Sequence, residues 1–392
     1  MPSRTVSTSA VAGMSMVTAG SMAANAASYL LHLPASRFLG LAGYAEFASL
    51  LAAQLVLAVP ALALQSVVAR DVVRGRNSGE LRSLGYRSAA VVAVLALVAS
   101  PVVAWALQTG VLATVSALVV APVLVVLATE QGLLQGSARF GTLSIVLAAA
   151  GLGKVVPAVV VLAFGGGPGI VLAASAAGTS IVAVGARLAT RTTTGPSTSR
   201  LSVVEVLAAS QVQLALILLS SVDLVLVKAL LDDDQAGLYA LGAVATKAAF
   251  WLPQAVGVVL YPRMANPKQS ASALRSALAV VAGIGAVLVV GCAVASPLLP
   301  LLVGDAYAPV KGYVWIFALQ GACLAVLQSG LLWAIAGNRT RLAAVAWVGL
   351  VVEVVLLATV ASTVVQFVTV AASVAAVCAA VMSAVAIGAS RP

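Results

Sequence analysis

The chain has 392 residues, of which 62% are hydrophobic and only 8% are charged, and its mean hydropathy is +1.13. Soluble domains carry about 25% charged residues, so this composition excludes an ordinary soluble protein and predicts a polytopic helical membrane protein. The net charge of +10 does not indicate nucleic-acid binding, because the basic residues are scattered through short connectors, as expected of cytoplasmic loops.

Apolar runs long enough to cross about 30 Å of hydrocarbon as helix recur along the whole chain. The longest soluble segment between them, around RTTTGPSTSR (191–200), is rich in Thr, Ser, Gly and Pro. It divides the chain into two six-helix bundles, residues 1–190 and 203–392, joined by a cytoplasmic linker at 191–202. The twelve predicted spans are 11–33, 43–69, 86–108, 112–135, 142–164, 168–188, 203–230, 236–261, 274–303, 312–336, 341–361 and 365–389.

The basic residues fall mainly on one side of this map. The termini and the connectors on their side hold 16 of the 21 Lys and Arg residues. The opposite connectors hold only Arg37, Lys228 and Lys311, together with the acidic run Asp232, Asp233 and Asp234. This asymmetry predicts that both termini are cytoplasmic and that the protein lies in the cell (inner or plasma) membrane. The acidic run is then an external solvated turn, with cation binding as the alternative.

The two halves resemble each other in sequence. Pro60 and Arg70 of span 2 fall on Pro253 and Arg263 of span 8, 193 residues later in both cases. QGLLQGSAR (131–139) likewise falls on SGLLWAIAGNR (329–339). Corresponding spans therefore share an orientation. This predicts a parallel repeat, an arrangement in which the two bundles usually surround a central cavity.

The stretch SRFLGLAGYAEFASLLAAQLVLAVPALALQSVVAR (36–70) resembles the polysaccharide-flippase branch of the MOP superfamily, the multidrug, oligosaccharidyl-lipid and polysaccharide exporters. The resemblance rests on an arginine that closes the first helix, a Leu-Gly pair, a Gly-Tyr start of the second helix and a proline within it. Here these are Arg37, Leu39-Gly40, Gly43-Tyr44 and Pro60.

The stretch VDLVLVKALLDDDQAGLYAL (222–241) also resembles the start of the family's second half, with Asp223 at its intramembrane acid. The resemblance implies a twelve-helix, two-lobed transporter that moves lipid-linked oligosaccharides from the inner to the outer leaflet. Relatives that flip lipid II usually have fourteen helices and an arginine-rich cavity. This chain lacks both features, which argues against a peptidoglycan precursor as substrate.

Four charged residues are assigned to the middle of the membrane: Lys154, Asp223, Lys247 and Glu353. Such residues are costly in the membrane and usually face a cavity or a partner. Lys154 and Glu353 lie 199 residues apart, at the repeat offset, with opposite charges. Either each one fills a packing defect in its own bundle, or both line the cavity and interact in one state of transport.

Span 8 carries the most informative polar face. Lys247, Trp251, Gln254 and Tyr261 recur at helical spacing on one side. An ammonium group suits a lipid diphosphate, and an indole ring suits the face of a sugar. Gln54 in span 2 and Asn25 in span 1 belong to comparable polar stripes. These stripes either line the substrate cavity or join helices through hydrogen bonds.

Asp223 in span 7 is predicted to share a helical face with Gln213 and Ser220. We expect this carboxylate to carry a coupling proton or cation, to pair with a lysine, or to be merely solvated. The chain has a single histidine, no metal-ligand spacing and no nucleotide motif, so no cofactor is expected and the residues do not indicate an enzyme.

The leading hypothesis is therefore a flippase for a polyprenyl-diphosphate-linked oligosaccharide, coupled to a proton or another cation and working beside other glycan-assembly proteins in the membrane. A small-molecule or drug exporter of the same superfamily is the alternative. A membrane-embedded glycosyltransferase or polymerase is a third hypothesis, but it would want acidic residues in a large external loop, and the predicted external loops are short.

Overall fold

A computed structural model describes residues 20, 24–25, 27–190, 203–253, 256, 260, 264, 269–336 and 339–389. Their regular structure is helical, as expected where a membrane leaves helices to satisfy their own backbone groups. The helices are α1 His32–Leu57, α2 Val59–Val73, α3 Ser78–Leu107, α4 Val111–Leu118, α5 Val120–Gly136, α6 Phe140–Ala163, α7 Pro168–Ala189, α8 Val203–Leu219, α9 Val222–Leu230, α10 Asp233–Trp251, α11 Ser270–Ala295, α12 Leu299–Val303, α13 Val314–Ala336, α14 Ala344–Thr359 and α15 Val364–Ala389. Short 3₁₀ helices span Ser296–Leu298, Asp305–Gly312 and Thr340–Ala343.

Within the described part of the chain, nine helices are long and apolar enough to cross a membrane, or ten if the bent pair α8 and α9 counts as one span. Of the twelve predicted spans, the first lies largely outside the described residues. Span 8 is described continuously only to Pro253. The connector predicted between spans 1 and 2 differs from the prediction. Helix continues from Ala27 to Val73 and is interrupted at Gly40, where a φ of 68° suits a residue without a Cβ.

The chain separates into two compact units. The first holds residues 1–38 and 53–211, and the second holds residues 39–52 and 212–392. The predicted bundle bounds stay a prediction, and the structure adds one detail to them. Tyr44 of the short segment 39–52 is fully buried in the second unit, where its ring packs edge-on against Tyr307 with centroids 6.2 Å apart.

Each unit has the same internal packing scheme. In the first unit, α5 is the central helix and packs against α2, α3 and α7, while α6 packs against α7. In the second unit, α13 packs in the same way against α10, α11 and α15, while α14 packs against α15. These pairs correspond under the repeat read from the sequence. The repeat is therefore visible in how each bundle is built.

Two arginines at matching places complete the correspondence. Arg139 donates to the carbonyl of Ala189 at the end of α7, at 3.2 Å. Arg339, 200 residues later, donates to the carbonyl of Ala389 at the end of α15, at 3.4 Å. A helix leaves its last carbonyls without intrahelical donors, and a basic side chain is a favourable partner for them.

Small residues allow the close packing of α2 on α5. A Cβ added to Gly132 would lie 2.7 Å from the carbonyl oxygen of Gln65, and one added to Gly136 would lie 2.5 Å from that of Ala69. Glycines four residues apart let helix backbones approach closely in membranes, where packing rather than hydrophobicity drives association.

Candidate functional site

The second unit contains a break in span 7 that helps to build a polar site. Helix α8 ends at Leu219, α9 begins at Val222, and the two axes differ by 44°. Ser220 and Ser221 occupy the break, and both are buried. The hydroxyl of Ser220 donates to the carbonyl of Ile217 at 3.0 Å, a backbone contact that often accompanies bends in helices.

Lys247 of α10 bonds to this break. Its ammonium donates to the carbonyl oxygen of Ser220 and to the hydroxyl of Ser221, and it lies 3.2 Å from the hydroxyl of Ser220. A broken helix inside a membrane needs partners for the backbone groups that it frees. The half-buried lysine is such a partner, so it joins α10 to the junction of α8 and α9.

Asp223, in the first turn of α9, is buried with 2% of its surface exposed. Its Oδ2 accepts hydrogen bonds from the hydroxyl of Tyr239 at 2.7 Å and from the amide of Gln320 at 2.9 Å. Its Oδ1 accepts from the backbone N–H of Leu224 at 2.8 Å. These three donors replace the water that a buried carboxylate would otherwise need.

The donors to Asp223 are themselves held in place. Thr246 of α10 donates to the amide oxygen of Gln320 at 3.1 Å and to the carbonyl of Phe317 at 2.9 Å. The ring of Tyr239 packs edge-on against Phe317 and Phe367, with centroids 4.9 and 6.1 Å apart. Helices α9, α10, α13 and α15 therefore all contribute to a single buried network around one carboxylate.

Glu353 of α14 belongs to the same region. It is 1% exposed, and its Oε1 has no hydrogen-bond partner among the described residues. It lies close enough to Asp223 and Lys247 to interact with them electrostatically. Three of the residues singled out from the sequence are thus brought together in one unit.

The other candidate residues are placed differently. Trp251 is half-buried at the end of α10, with its ring 5.2 Å from that of Phe250, and Gln254 lies outside the described residues. Lys154 is half-buried in α6, Gln54 is buried in α1, and Asn25 is exposed. These last three belong to the first unit.

Two expectations about span 7 are corrected by the bend. A straight helix would place Asp223 on one face with Gln213 and Ser220, but the break at Ser220 and Ser221 separates α8 from α9. Lys228, predicted to lie in an external connector, is instead a buried residue of α9 that forms an ion pair with Asp233. The acidic run thus opens α10 and does not form a purely solvated turn.

Asp232 is the N-cap of α10. Its carboxylate accepts from the backbone N–H of Gln235 at 2.8 Å and from the side-chain amide of the same residue at 2.7 Å. The hydrogen bond from the Gln235 backbone lowers the pKa of Asp232 below its ordinary value.

A buried ion pair in the first unit was not predicted from the sequence. Arg82 of α3 and Glu130 of α5 form a bidentate pair with distances of 2.8 and 2.9 Å, and they are 4% and 1% exposed. Arg82 also donates to the carbonyl of Thr190 at 3.1 Å. Glu130 lies within predicted span 4, so its charge was a signal that the sequence offered. Tyr239 and Gln320 were missed because neither carries a charge.

In the described ranges, no group of three or more His, Cys, Asp and Glu residues is arranged to hold a metal ion. The polar network of the second unit can instead bind or release protons, and Lys247 supplies a positive charge inside a predicted span.

Neither a family model nor a curated protein matches the chain, but solved membrane transporters do. An inward-facing multidrug-resistance MATE family transporter of the MOP superfamily matches with a TM-score of 0.72 and 12% identity, over 92% of this chain and 94% of that one. The lipid II flippase MurJ in an inward closed conformation matches with a TM-score of 0.67 and 9% identity, over 96% and 87%. The eukaryotic MATE transporter AtDTX14 matches with a TM-score of 0.62 and 13% identity, over 97% and 99%.

At sequence identities this low, the structural matches show a shared fold. Together with the packing inside each unit, they confirm the predicted fold class, an all-α membrane protein with about twelve transmembrane helices in two six-helix bundles related as a parallel repeat. The chain therefore has the fold of the MOP-superfamily transporters.

Proposed function

We propose that this protein is a membrane transporter that moves a polyprenyl-diphosphate-linked oligosaccharide from the inner to the outer leaflet by alternating access. The product would supply the biosynthesis of a cell-surface polysaccharide, beside other glycan-assembly proteins in the membrane. The transporter fold supports the general activity. The distribution of basic residues supports a cell-membrane location with both termini in the cytoplasm.

The observation that carries the choice of substrate is the pair Lys247 and Trp251 on α10. Both are half-buried, and four residues separate them, so they lie on the same side of the helix. A cation and an aromatic ring at this spacing suit a substrate that joins a diphosphate to a sugar. The remaining predicted cavity residues, Gln254, Lys154, Glu353, Asn25 and Gln54, stay part of this proposal.

Asp223 is the proposed site of ion coupling from the sequence. Its burial and its place beside the helix break support a role in conformational change, because a charged group inside a membrane is costly unless it serves structure or transport.

The experiment that tests this function is deletion of the gene in its native host. We expect lipid-linked glycan to accumulate in the inner leaflet and surface glycan to be lost, because no other step exposes the glycan outside. Re-expression of the wild-type protein should restore the surface glycan, which excludes an effect on neighbouring genes.

A drug exporter is the second candidate, because the fold is shared with multidrug MATE transporters. A deletion strain that keeps normal surface glycan but becomes sensitive to toxic compounds would favour the exporter and contradict the flippase.

A further inference from the structure

Glu353 differs from the other buried carboxylates of the protein. Four acidic side chains are buried among the described residues. Asp71 lies within 4 Å of Arg70, Arg74 and Arg76, and Glu130 pairs with Arg82 and Arg187. Asp223 accepts three hydrogen bonds. Glu353 has no ion pair within 4 Å and no hydrogen bond to another described residue.

This difference bears on the protonation state. An ionised carboxylate without donors is far more costly to bury than a neutral carboxylic acid, and such a group normally takes up a proton instead. The other three carboxylates have cations or donors that compensate an ionised form. The surroundings of Glu353 in this conformation suit only the neutral acid.

The charge balance of the network gives the same result. The titratable groups close enough to Glu353 to interact with it electrostatically are Asp223 on α9, Tyr239 and Lys247 on α10, and Cys378 on α15. With Asp223 ionised and Lys247 protonated, the network is neutral only if Glu353 holds a proton. A second carboxylate would leave a net negative charge inside the membrane.

We propose that Glu353 holds a proton in this conformation and that, alongside the coupling role proposed for Asp223, it releases and rebinds a proton during transport. The coupling role rests on the proposed transport function, whereas the protonation itself does not.

The release step is a simple proton transfer. The O–H bond of the Glu353 carboxyl breaks, its proton passes to water admitted in another conformation, and the carboxylate that remains is anionic. This anion attracts the ammonium of Lys247, which in the present conformation bonds to Ser220 and Ser221. Loss of the proton therefore favours a move of Lys247 away from the helix break, which links protonation to the bend between α8 and α9.

Infrared difference spectroscopy of the purified full-length protein in liposomes tests the protonation. At neutral pH we expect the carbonyl stretching band of a protonated carboxylic acid, which should disappear as the pH is raised. The band should be lost in Glu353→Gln and retained in the matched control Asp223→Asn. Absence of the band at neutral pH, or its loss in Asp223→Asn but not in Glu353→Gln, would overturn the proposal.

The stability of the variant is a second readout. Glutamine is close in shape to a neutral glutamic acid, so Glu353→Gln should keep the melting temperature of the wild type at neutral pH. Failure of this variant to fold would contradict the proposal, because it would mean that the ionised group is needed.

Transport in proteoliposomes then separates this proposal from the function itself. With an imposed pH gradient, the wild type should be stimulated and Glu353→Gln should show no stimulation. Unchanged stimulation in Glu353→Gln would overturn the coupling role. If the infrared band of Glu353 is present but the wild type transports no glycan, the proposed substrate is contradicted while the protonation of Glu353 is still supported.

Discussion

At the scale of single residues, the buried charges of this protein are stabilised in distinct ways. Arginines surround Asp71 and hold Glu130 in a bidentate pair, whereas neutral donors surround Asp223. Lys247 donates to the carbonyl oxygen of Ser220 and to the hydroxyl of Ser221 at the helix break. The first two arrangements resemble structural ion pairs.

The pair of Arg82 and Glu130 yields a stability prediction. Glu130→Gln leaves the guanidinium of Arg82 buried without its anion, so the free energy of unfolding should fall by about 3–5 kcal/mol. Arg187 is a matched control, because it approaches the same carboxylate at only 3.7 Å and is 42% exposed. Arg187→Ala should cost less than about 1 kcal/mol. Chemical unfolding in detergent measures both, and equal losses would show that the buried pair is no stronger than the exposed one.

The sequence identified Lys247, Asp223 and Glu353 from a single principle, the cost of charge in a membrane. It did not identify their partners. Tyr239 and Gln320 reach Asp223 from helices that lie 16 and 97 residues further along the chain, and neutral residues in apolar spans carry no comparable signal. Glu130 carried the same signal, but it lies five residues from the predicted end of its span and was not singled out.

At the scale of secondary structure, hydropathy predicted where the spans lie but did not predict where their helices break. The break at Ser220 and Ser221 lies inside a run whose hydropathy predicts a single span, and serine pairs occur in many straight helices. The predicted connector after span 1 is helical except at Gly40, the one residue there with a positive φ. Local geometry of this kind depends on tertiary partners that the sequence pattern does not contain.

The start of α10 yields a prediction about its cap. Asp232→Ala removes the acceptor for the N–H of Gln235 and should lower the free energy of unfolding by about 1 kcal/mol at neutral pH. The pKa of Asp232 is lower in the folded protein than in the unfolded chain. The stability that the Asp232 carboxylate contributes is therefore fully present above the ordinary pKa of aspartate, about 3.9. It is lost as the pH falls through the pKa of Asp232 in the folded protein. Wild type and variant should therefore converge in acid.

The control for the cap is Asp234→Ala in the first turn of the same helix. Asp234 is exposed and interacts with the helix mainly through the dipole, so its removal should cost only a few tenths of a kcal/mol. Thermal unfolding across a pH series compares the two variants. A cost for Asp232→Ala that persists unchanged in strong acid would show that the carboxylate does not act as the cap.

At the scale of the whole molecule, the repeat was the part of the fold that the sequence predicted best. Residues 131–136 and 329–336 of the matched segments form equivalent ends of α5 and α13, and Arg139 and Arg339 bond to equivalent carbonyls. Polar sites depart from this symmetry. The second unit holds the network of Lys247, Asp223 and Glu353, and the first unit holds the pair of Arg82 and Glu130. Such a difference is expected if one unit binds the substrate or the coupled proton while the other mainly stabilises the fold.

The central claim is that this protein flips a polyprenyl-diphosphate glycan with the help of the Lys247 ammonium. The most direct test is reconstitution in liposomes with a fluorescent lipid-linked glycan, measuring the fraction that an enzyme added outside can cleave over time. The wild type should transfer glycan between leaflets. Lys247→Arg should retain part of the rate, because a diphosphate needs a cation but accepts cations of different shape. Lys247→Ala should reduce the rate to that of empty liposomes. Lys311→Ala, an exposed lysine between α12 and α13, should leave the rate unchanged. Equal rates for Lys247→Ala and the wild type, or no transfer by the folded wild type, would contradict the account.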